Sequence, residues 1–278
     1  WPTFHLFTVN EQGSSLMDDL LKVEGLGFSW GDNLVIDSVD FIVKKNELVS
    51  VLGKNGAGKS TLLKCLNKIL SPNRGKITIH GEDISELGIL TTSKKMSYVP
   101  QSITSNFSMD VFDVILLGRR PYINWAVGER DRDLVSKTID KMGLSNFAFR
   151  RFDRLSGGEK QRVVIAKAVA QDPDLFLFDE PTSDLDLKNQ IEVMKELRKI
   201  VSEDNGKAAI IAIHDINIAS RFSDRIMLLH EGKIISNGKP SDVLTPENIE
   251  LVFEVTSRQV MGEDGILRIV INDEITRE

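Results

Sequence analysis

The stretch Gly53–Thr61, GKNGAGKST, decides the fold. It follows ELVSVL, an apolar run from Glu47 that reads as a buried strand, and precedes LLKCLNKIL, whose leucines recur at helical spacing. Strand, glycine loop and helix form the arrangement a phosphate site needs. The loop's glycines let successive backbone N–H groups converge on phosphate oxygens at a helix N-terminus. Lys59 adds a positive charge there, and Ser60 offers its hydroxyl to Mg2+, which keeps several waters and bridges phosphates. A purely structural turn would explain the glycines but not Lys-Ser in register behind them. Nucleotide binding is the expectation.

The rest of the composition narrows the class. A chain of 278 residues, 41% hydrophobic, buries a substantial core as one large domain or two small ones. Lys and Arg number 35 against 41 Asp and Glu, for a net charge of −6 and a pI near 5.4, and no basic run forms an electrostatic footprint. No nucleic-acid partner is expected. The single cysteine, Cys65, excludes an intramolecular disulfide, fits a reducing compartment and falls in the apolar pattern of a packed core thiol. No apolar stretch has the length that crosses a bilayer, so a membrane role comes through a partner. Residues 1–16, WPTFHLFTVNEQGSSL, lack the basic start and long apolar core of a signal peptide. They read as a disordered tag or upstream extension, with Met17 a candidate start.

Along the chain, Leu20–Phe28 and Leu34–Val43 read as an antiparallel pair around the turn Gly31-Asp32-Asn33. KITIHG and KKMSYVPQ read as strands. Between Ser102 and Arg154 the texture changes: SMDVFDVILLGRR, ERDRDLVSKTIDKMGL and FAFRRF carry apolar spacings of three and four, which predicts a mostly helical insert. DLFLFDE then reads as a central strand covered on both faces, KNQIEVMKELRKIVSE as an amphipathic helix, AAIIAIHD as another buried strand, and RIMLLHEGKIISNGKP as a hairpin. Helical turns follow through DVLTPENIELVFEV, then a strand at GILRIVIN. The fold class this implies is α/β: a P-loop core with a mainly parallel sheet flanked by helices, an antiparallel β edge unit and an inserted helical subdomain. Gly53, Gln101, Asp179, Glu180 and His214 all fall at or just beyond predicted strand ends, where such folds bind ligand.

Asp179 and Glu180 are neighbours with different chemistry, because a strand turns successive side chains to opposite sides. Asp179 is placed to hold Mg2+ or its waters, and Glu180 to polarise the attacking water as general base. Without a P-loop they would read as a carboxylate pair capping a strand. Gln101 is either a solvated loop amide or a ligand for Mg2+ or the attacking water. His214 is either structural or a bridge from a γ-phosphate oxygen to Glu180. In LSGGEKQR, Ser156-Gly157-Gly158 before a helix builds a second anion-binding N-terminus. An ordinary N-cap would account for Ser156 but not for two glycines followed by Glu159. One nucleotide cannot easily use both helix ends if they lie far apart in one chain; two chains about a two-fold axis can sandwich it.

The chain resembles the ATP-binding subunits of ABC transporters over about Leu20–Val255. GKNGAGKST matches the family's Walker A, Gln101 its Q-loop, LSGGEKQ its signature, LFLFDE its Walker B, SDLD from Ser183 its D-loop, and His214 its switch histidine. The resemblance implies ATP and Mg2+ as ligands. Gly53, Lys54, Asn55, Gly56, Ala57, Gly58, Lys59, Ser60, Thr61, Ser156, Gly157, Gly158, Glu159 and Asp179 would bind nucleotide. Ser60, Gln101 and Asp179 would hold the metal, and Glu180, His214 and Gln101 would do the chemistry. Trp30 corresponds to the adenine-stacking aromatic, with Phe28 competing for that role. Lys54 stands where the family often has proline. The resemblance also implies an ATPase domain over 17–255, with the helical subdomain over about 102–170 and a short C-terminal extension at 256–278. Its partners would be a second copy of the chain, membrane-spanning permease subunits whose coupling helix enters a groove beside the Q-loop, and indirectly an extracytoplasmic substrate-binding protein. The protein would sit peripherally on the cytoplasmic face of the cell membrane. LLGRRPY, from Leu116 to Tyr122, and TSDLDLKNQ, from Thr182 to Gln190, are similar to the iron-chelate (siderophore) and vitamin B12 importer branch. Haem, molybdate or tungstate import and a soluble ATPase of iron-sulfur cluster assembly are the alternatives. The Arg119-Arg120 pair is expected to lie at the permease dock.

Overall fold

The computed structural model describes residues 19–101, 108–183, 185–203 and 206–275. In chain order these form β1 (Asp19–Trp30), β2 (Asn33–Lys44), β3 (Leu48–Leu52), α1 (Lys59–Leu66), β4 (Arg74–Ile79), β5 (Glu82–Asp83), α2 (Ile89–Lys95) and β6 (Met96–Val99). The insert holds α3 (Val111–Leu116) and α4 (Glu129–Lys141), and α5 (Gly157–Gln171) leads out of it. Then follow β7 (Leu175–Asp179), α6 (Leu187–Glu203), β8 (Ala208–Ala212), α7 (Ile216–Phe222), β9 (Arg225–His230), β10 (Lys233–Gly238), α8 (Pro240–Val243), α9 (Pro246–Phe253), β11 (Val255–Met261) and β12 (Leu267–Glu274).

β1 and β2 pair antiparallel, with Leu26 opposite Val39 and Phe28 opposite Ile36, and carry an antiparallel sheet in the order β2-β1-β4-β5. The main sheet runs β10-β9-β3-β8-β7-β6, parallel throughout except at the edge strand β10. LVSVL, LFLFD and AAIIA are buried at every position, which is why they are continuous apolar runs rather than alternating ones. Alternation divides their side chains between two cores. Leu48, Leu52, Phe176 and Phe178 join the core shared with the insert and α6, whereas Val49, Val51, Leu175 and Leu177 join the core shared with α1 and the antiparallel sheet. Cys65 is buried in the second core, and burial pushes its thiol up to about 11, so it stays protonated and packs as an apolar side chain.

The insert departs from the sequence expectation in detail. FAFRRF is not a regular helix: 3-10 turns at Ser145–Phe147 and Phe152–Arg154 flank it. Its backbone groups bond outward, with the Val111 N–H donating to Arg150 O, the Phe112 N–H to Ala148 O, and the Phe152 N–H to Met109 O. Tertiary partners therefore replace the local helical ladder. α3 likewise tightens after Leu116 into a 3-10 turn over Leu117–Tyr122, where Pro121 has no N–H to give. At the far end, helix stops at Phe253, Glu254 turns left-handed at φ 58°, and an additional strand, β11, pairs with β12.

Gly118 marks the closest approach of the insert to α5, since a Cβ there would lie 2.2 Å from Lys167 O. Gly118→Val is expected to destabilise the protein by about 1–3 kcal/mol, the cost of overpacking. Thermal unfolding followed by circular dichroism checks this, and an unchanged midpoint would contradict the packing described.

Candidate active site

β3 delivers the chain to the loop, and α1 starts on Lys59 with Gly58 as a left-handed N-cap at φ 105°, a conformation a side chain would resist. No side chain caps that helix, so its first N–H groups have no side-chain partner there. Lys59 folds back over the loop and donates to Gly53 O at 2.8 Å and to Lys54 O at 3.1 Å, while its ammonium lies 3.7 Å from Glu180 Oε1. Burial lowers the pKa of Lys59, and the carboxylates of Glu180 and Asp179 oppose that shift.

The parallel strands bring the remaining groups to the same edge. The Ser60 hydroxyl donates to Asp179 Oδ1 at 2.8 Å, and Tyr98 on β6 donates its phenol to Asp179 Oδ2 at 2.9 Å. Burial first, and then the adjacent Asp179, raise the Tyr98 pKa, so the phenol remains a donor. Gln101 donates to Glu180 Oε2 at 2.8 Å, and His214 Nδ1 lies 3.3 Å from the same oxygen. Glu180, just beyond β7, is buried and sits at φ 50°, a left-handed conformation that costs a non-glycine residue of order 1–3 kcal/mol. Its N–H is anchored to Ala212 O at 3.0 Å.

A cavity of about 440 Å³ gathers Asn55, Gly56, Gly58, Lys59, Ser60, Thr61, Gln101, Glu180 and His214, residues that lie more than 150 positions apart in the chain. Gly53 and Asp179 adjoin it through Lys59 and Ser60. Ala57 packs toward the core beneath, and the Lys54 ammonium is drawn away to Glu254 at 2.5 Å. Ser60 Oγ and Asp179 supply hard oxygen donors side by side, and no group of three or more His, Cys, Asp or Glu able to hold a metal occurs among the described residues. Such a set fits Mg2+ that arrives with phosphate oxygens and waters rather than an ion caged by protein alone.

Other expected residues lie elsewhere. Ser156 caps α5 in a reciprocal box, its backbone N–H bonded to Glu159 Oε2 at 2.7 Å and its hydroxyl accepting from the Glu159 N–H at 3.4 Å. Neither these two residues nor Gly157 and Gly158 line the phosphate-loop cavity. Phe28 is buried at 6% exposure and belongs to the core, while Trp30, edge-on to it at 5.0 Å, is 57% exposed. Asp184 of SDLD lies outside the described residues, as do Ser102 and the five residues after it. Arg119 corrects an expectation: it is 5% exposed, paired with Asp131 at 3.0 Å, bonded to Ala170 O at 2.8 Å and set over the Tyr122 ring. It braces the insert, and only Arg120 of the pair is exposed. Tyr98 was missed, since a tyrosine in an alternating strand carries no signal of its own until Asp179 is known to face it.

The family model described as ABC transporter matches residues 36–183. The chain belongs to the ABC transporter family. It is 47% identical to an uncharacterised ABC transporter ATP-binding protein of Methanocaldococcus jannaschii, over 85% of this chain and 92% of that one. It is 34% identical to the petrobactin import ATP-binding protein of Bacillus subtilis, over 85% of this chain and 94% of that one. It shares 34% with the cobalamin import ATP-binding protein of Halobacterium salinarum over 88% of its own length, and spans 61% of that protein. Among solved structures, an inward-facing ABC transporter assigned to the metal-chelate type superposes with a TM-score of 0.80 at 30% identity, covering 92% of this chain and 98% of that one. A dimeric ATP-binding cassette in a post-hydrolysis state with ADP and Pi gives 0.70 at 30% identity, covering 80% and 99%. The ABC ATPase domain thus binds ATP, and ATP hydrolysis is general to the family.

Tyr98→Phe removes one of the two hydroxyl donors to Asp179. It is expected to cost about 1.5–3 kcal/mol, as for a hydrogen bond to a charged group. Urea unfolding measures this, and an unchanged midpoint would show that the phenol does not support the carboxylate.

Proposed function

We propose that this subunit hydrolyses MgATP at composite sites formed by two copies of the chain, and thereby powers import of a metal chelate of the iron-siderophore class through membrane-spanning permease subunits. The observation that carries the reading is the convergence on one carboxylate: Glu180 accepts from Gln101, faces His214 and stands beside Lys59 at the phosphate loop. The N–H groups at the start of α1 and the Lys59 ammonium bind the β- and γ-phosphates once Lys59 leaves the carbonyls of Gly53 and Lys54. When bound, Mg2+ neutralises developing phosphate charge, and Ser60 and Asp179 would hold it, with Gln101 near. Glu180 orients the attacking water and takes its proton; Gln101 and His214 hold that carboxylate in place. His214 also reaches toward the γ-phosphate. Asn55, Gly56 and Thr61 contribute the loop backbone and the start of the helix.

The nucleotide site of one chain is incomplete in this reading. Ser156, Gly157, Gly158 and Glu159, outside the cavity in their own chain, close over the γ-phosphate bound by the other copy, and Trp30 stacks on adenine from its exposed face. The insert, with exposed Trp125, and the adjoining α2, with exposed Ile89 and Leu90, meet the permease, and closing and reopening of the dimer drives the transported molecule across. None of the helices in the described residues is long and apolar enough to cross a membrane. The proposed docking on permease subunits puts the chain peripherally at the cytoplasmic face. An extracytoplasmic binding protein would deliver the substrate. The petrobactin import relative and the metal-chelate type transporter support the siderophore class, while cobalamin and hemin import relatives at 34% and 36% identity make those substrates the outcomes the test must separate.

The test is a strain lacking the gene, complemented with the wild-type chain or with Glu180→Gln. Uptake of a labelled ferric siderophore is expected to be lost, restored by the wild type and not by Glu180→Gln, although the variant protein still dimerises with ATP. Loss of cobalamin uptake alone would move the substrate class, and normal uptake of siderophore, cobalamin, haem and molybdate would remove the importer reading.

A further inference from the structure

The phosphate loop carries one side chain that the catalytic reading does not use. Lys54 turns from the cavity and pairs with Glu254, a residue 200 positions later at the C-terminal end of α9. Glu254 is held on both sides: its N–H donates to Glu250 O at 2.9 Å, and its carbonyl accepts from the Ile275 N–H at 2.9 Å, beyond the end of β12. The residue therefore joins α9 to the β11–β12 hairpin and presents its carboxylate to the loop.

The hairpin is fastened on its other side to the segment that follows His214. Asn217 on α7 exchanges two bonds with Ile269 on β12, at 3.1 and 2.8 Å, and Ser220 donates to Leu267 O at 2.8 Å. Asp215, next to His214, caps the same helix through the Ile218 N–H at 2.8 Å. A closed circuit results: Lys54 to Glu254, through the hairpin to α7, to His214, to Glu180, and back to the loop through Lys59. The hairpin is thus joined both to the phosphate loop and to the helix after His214 without lining the cavity.

We infer that Glu254 is a positioning residue that ties the phosphate loop to the C-terminal hairpin, so that nucleotide in the loop is sensed by the hairpin. The carbonyl of Lys54 accepts from the Lys59 ammonium at 3.1 Å, so when Lys59 turns to a bound polyphosphate that bond is lost, the loop at Lys54 shifts, and the tether to Glu254 loosens. By linkage, the hairpin's docking in turn biases the loop. This inference rests on the proposed binding of ATP at the loop.

Hydrogen–deuterium exchange on the full chain, with and without Mg2+ and the non-hydrolysed analogue AMPPNP, tests it. Amides of β11 are expected to exchange about threefold faster with the analogue, within the range given by the loss of one exposed ion pair. In Glu254→Gln the hairpin exchanges fast without nucleotide and shows no further change, whereas Glu250→Gln on the same helix retains the response. A merely structural role would raise exchange equally in both conditions and leave the nucleotide response intact, which would overturn the inference; so would unchanged or slower exchange in the wild type. Titration of a fluorescent ATP analogue on the same samples separates the two readings: absence of binding sinks the ATP site itself, while binding without a hairpin response sinks only the tether.

Discussion

Everything at the site depends on parallel strands that end together. With β3, β8 and β7 adjacent and parallel, the phosphate loop, His214 and the Asp179-Glu180 pair emerge at one edge of the sheet. The bond from Ser60 to Asp179 then spans 119 positions of sequence and locks the first turn of α1 to the end of β7. A parallel sheet permits this only when both faces are covered, and the two cores supply the cover.

That order places a buried ammonium between two buried carboxylates. Lys59 is held by backbone carbonyls and lies near Glu180, and burial alone would favour its neutral form. The surrounding negative charge opposes that shift, and in the proposed reaction the lysine would exchange carbonyl oxygens for phosphate oxygens. Glu180, at φ 50°, is carried in a conformation that the Ala212 and Gln101 bonds maintain, so its carboxylate is aimed before substrate binds.

Much of this was legible in the residues because the signals were local or compositional. The apolar runs named the central strands, and the order of the phosphate loop, LSGGEKQ and LFLFDE named the family. What escaped depended on distant partners. FAFRRF has helical spacing, but its backbone bonds to residues 109–112 outweigh that spacing. Arg119 and Arg120 are indistinguishable in sequence, yet only Arg119 meets Asp131 and the end of α5. The residues of β11 after Val255 carry no strand expectation, because the strand is largely exposed and its alternation weak. The choice between Phe28 and Trp30 also needed burial, which puts Phe28 in the core and leaves Trp30 open.

The central claim is that one chain holds half of each site, because the Ser156-Gly157-Gly158 turn stands outside the cavity it is meant to close. The most direct measurement is ATPase activity in a mixture of Lys59→Ala and Ser156→Arg chains. Each homodimer lacks one half of both sites, whereas the mixed dimer contains one site with both halves intact. The account predicts activity in the mixture well above the sum of the separately measured parents. Activity no greater than that sum would contradict it.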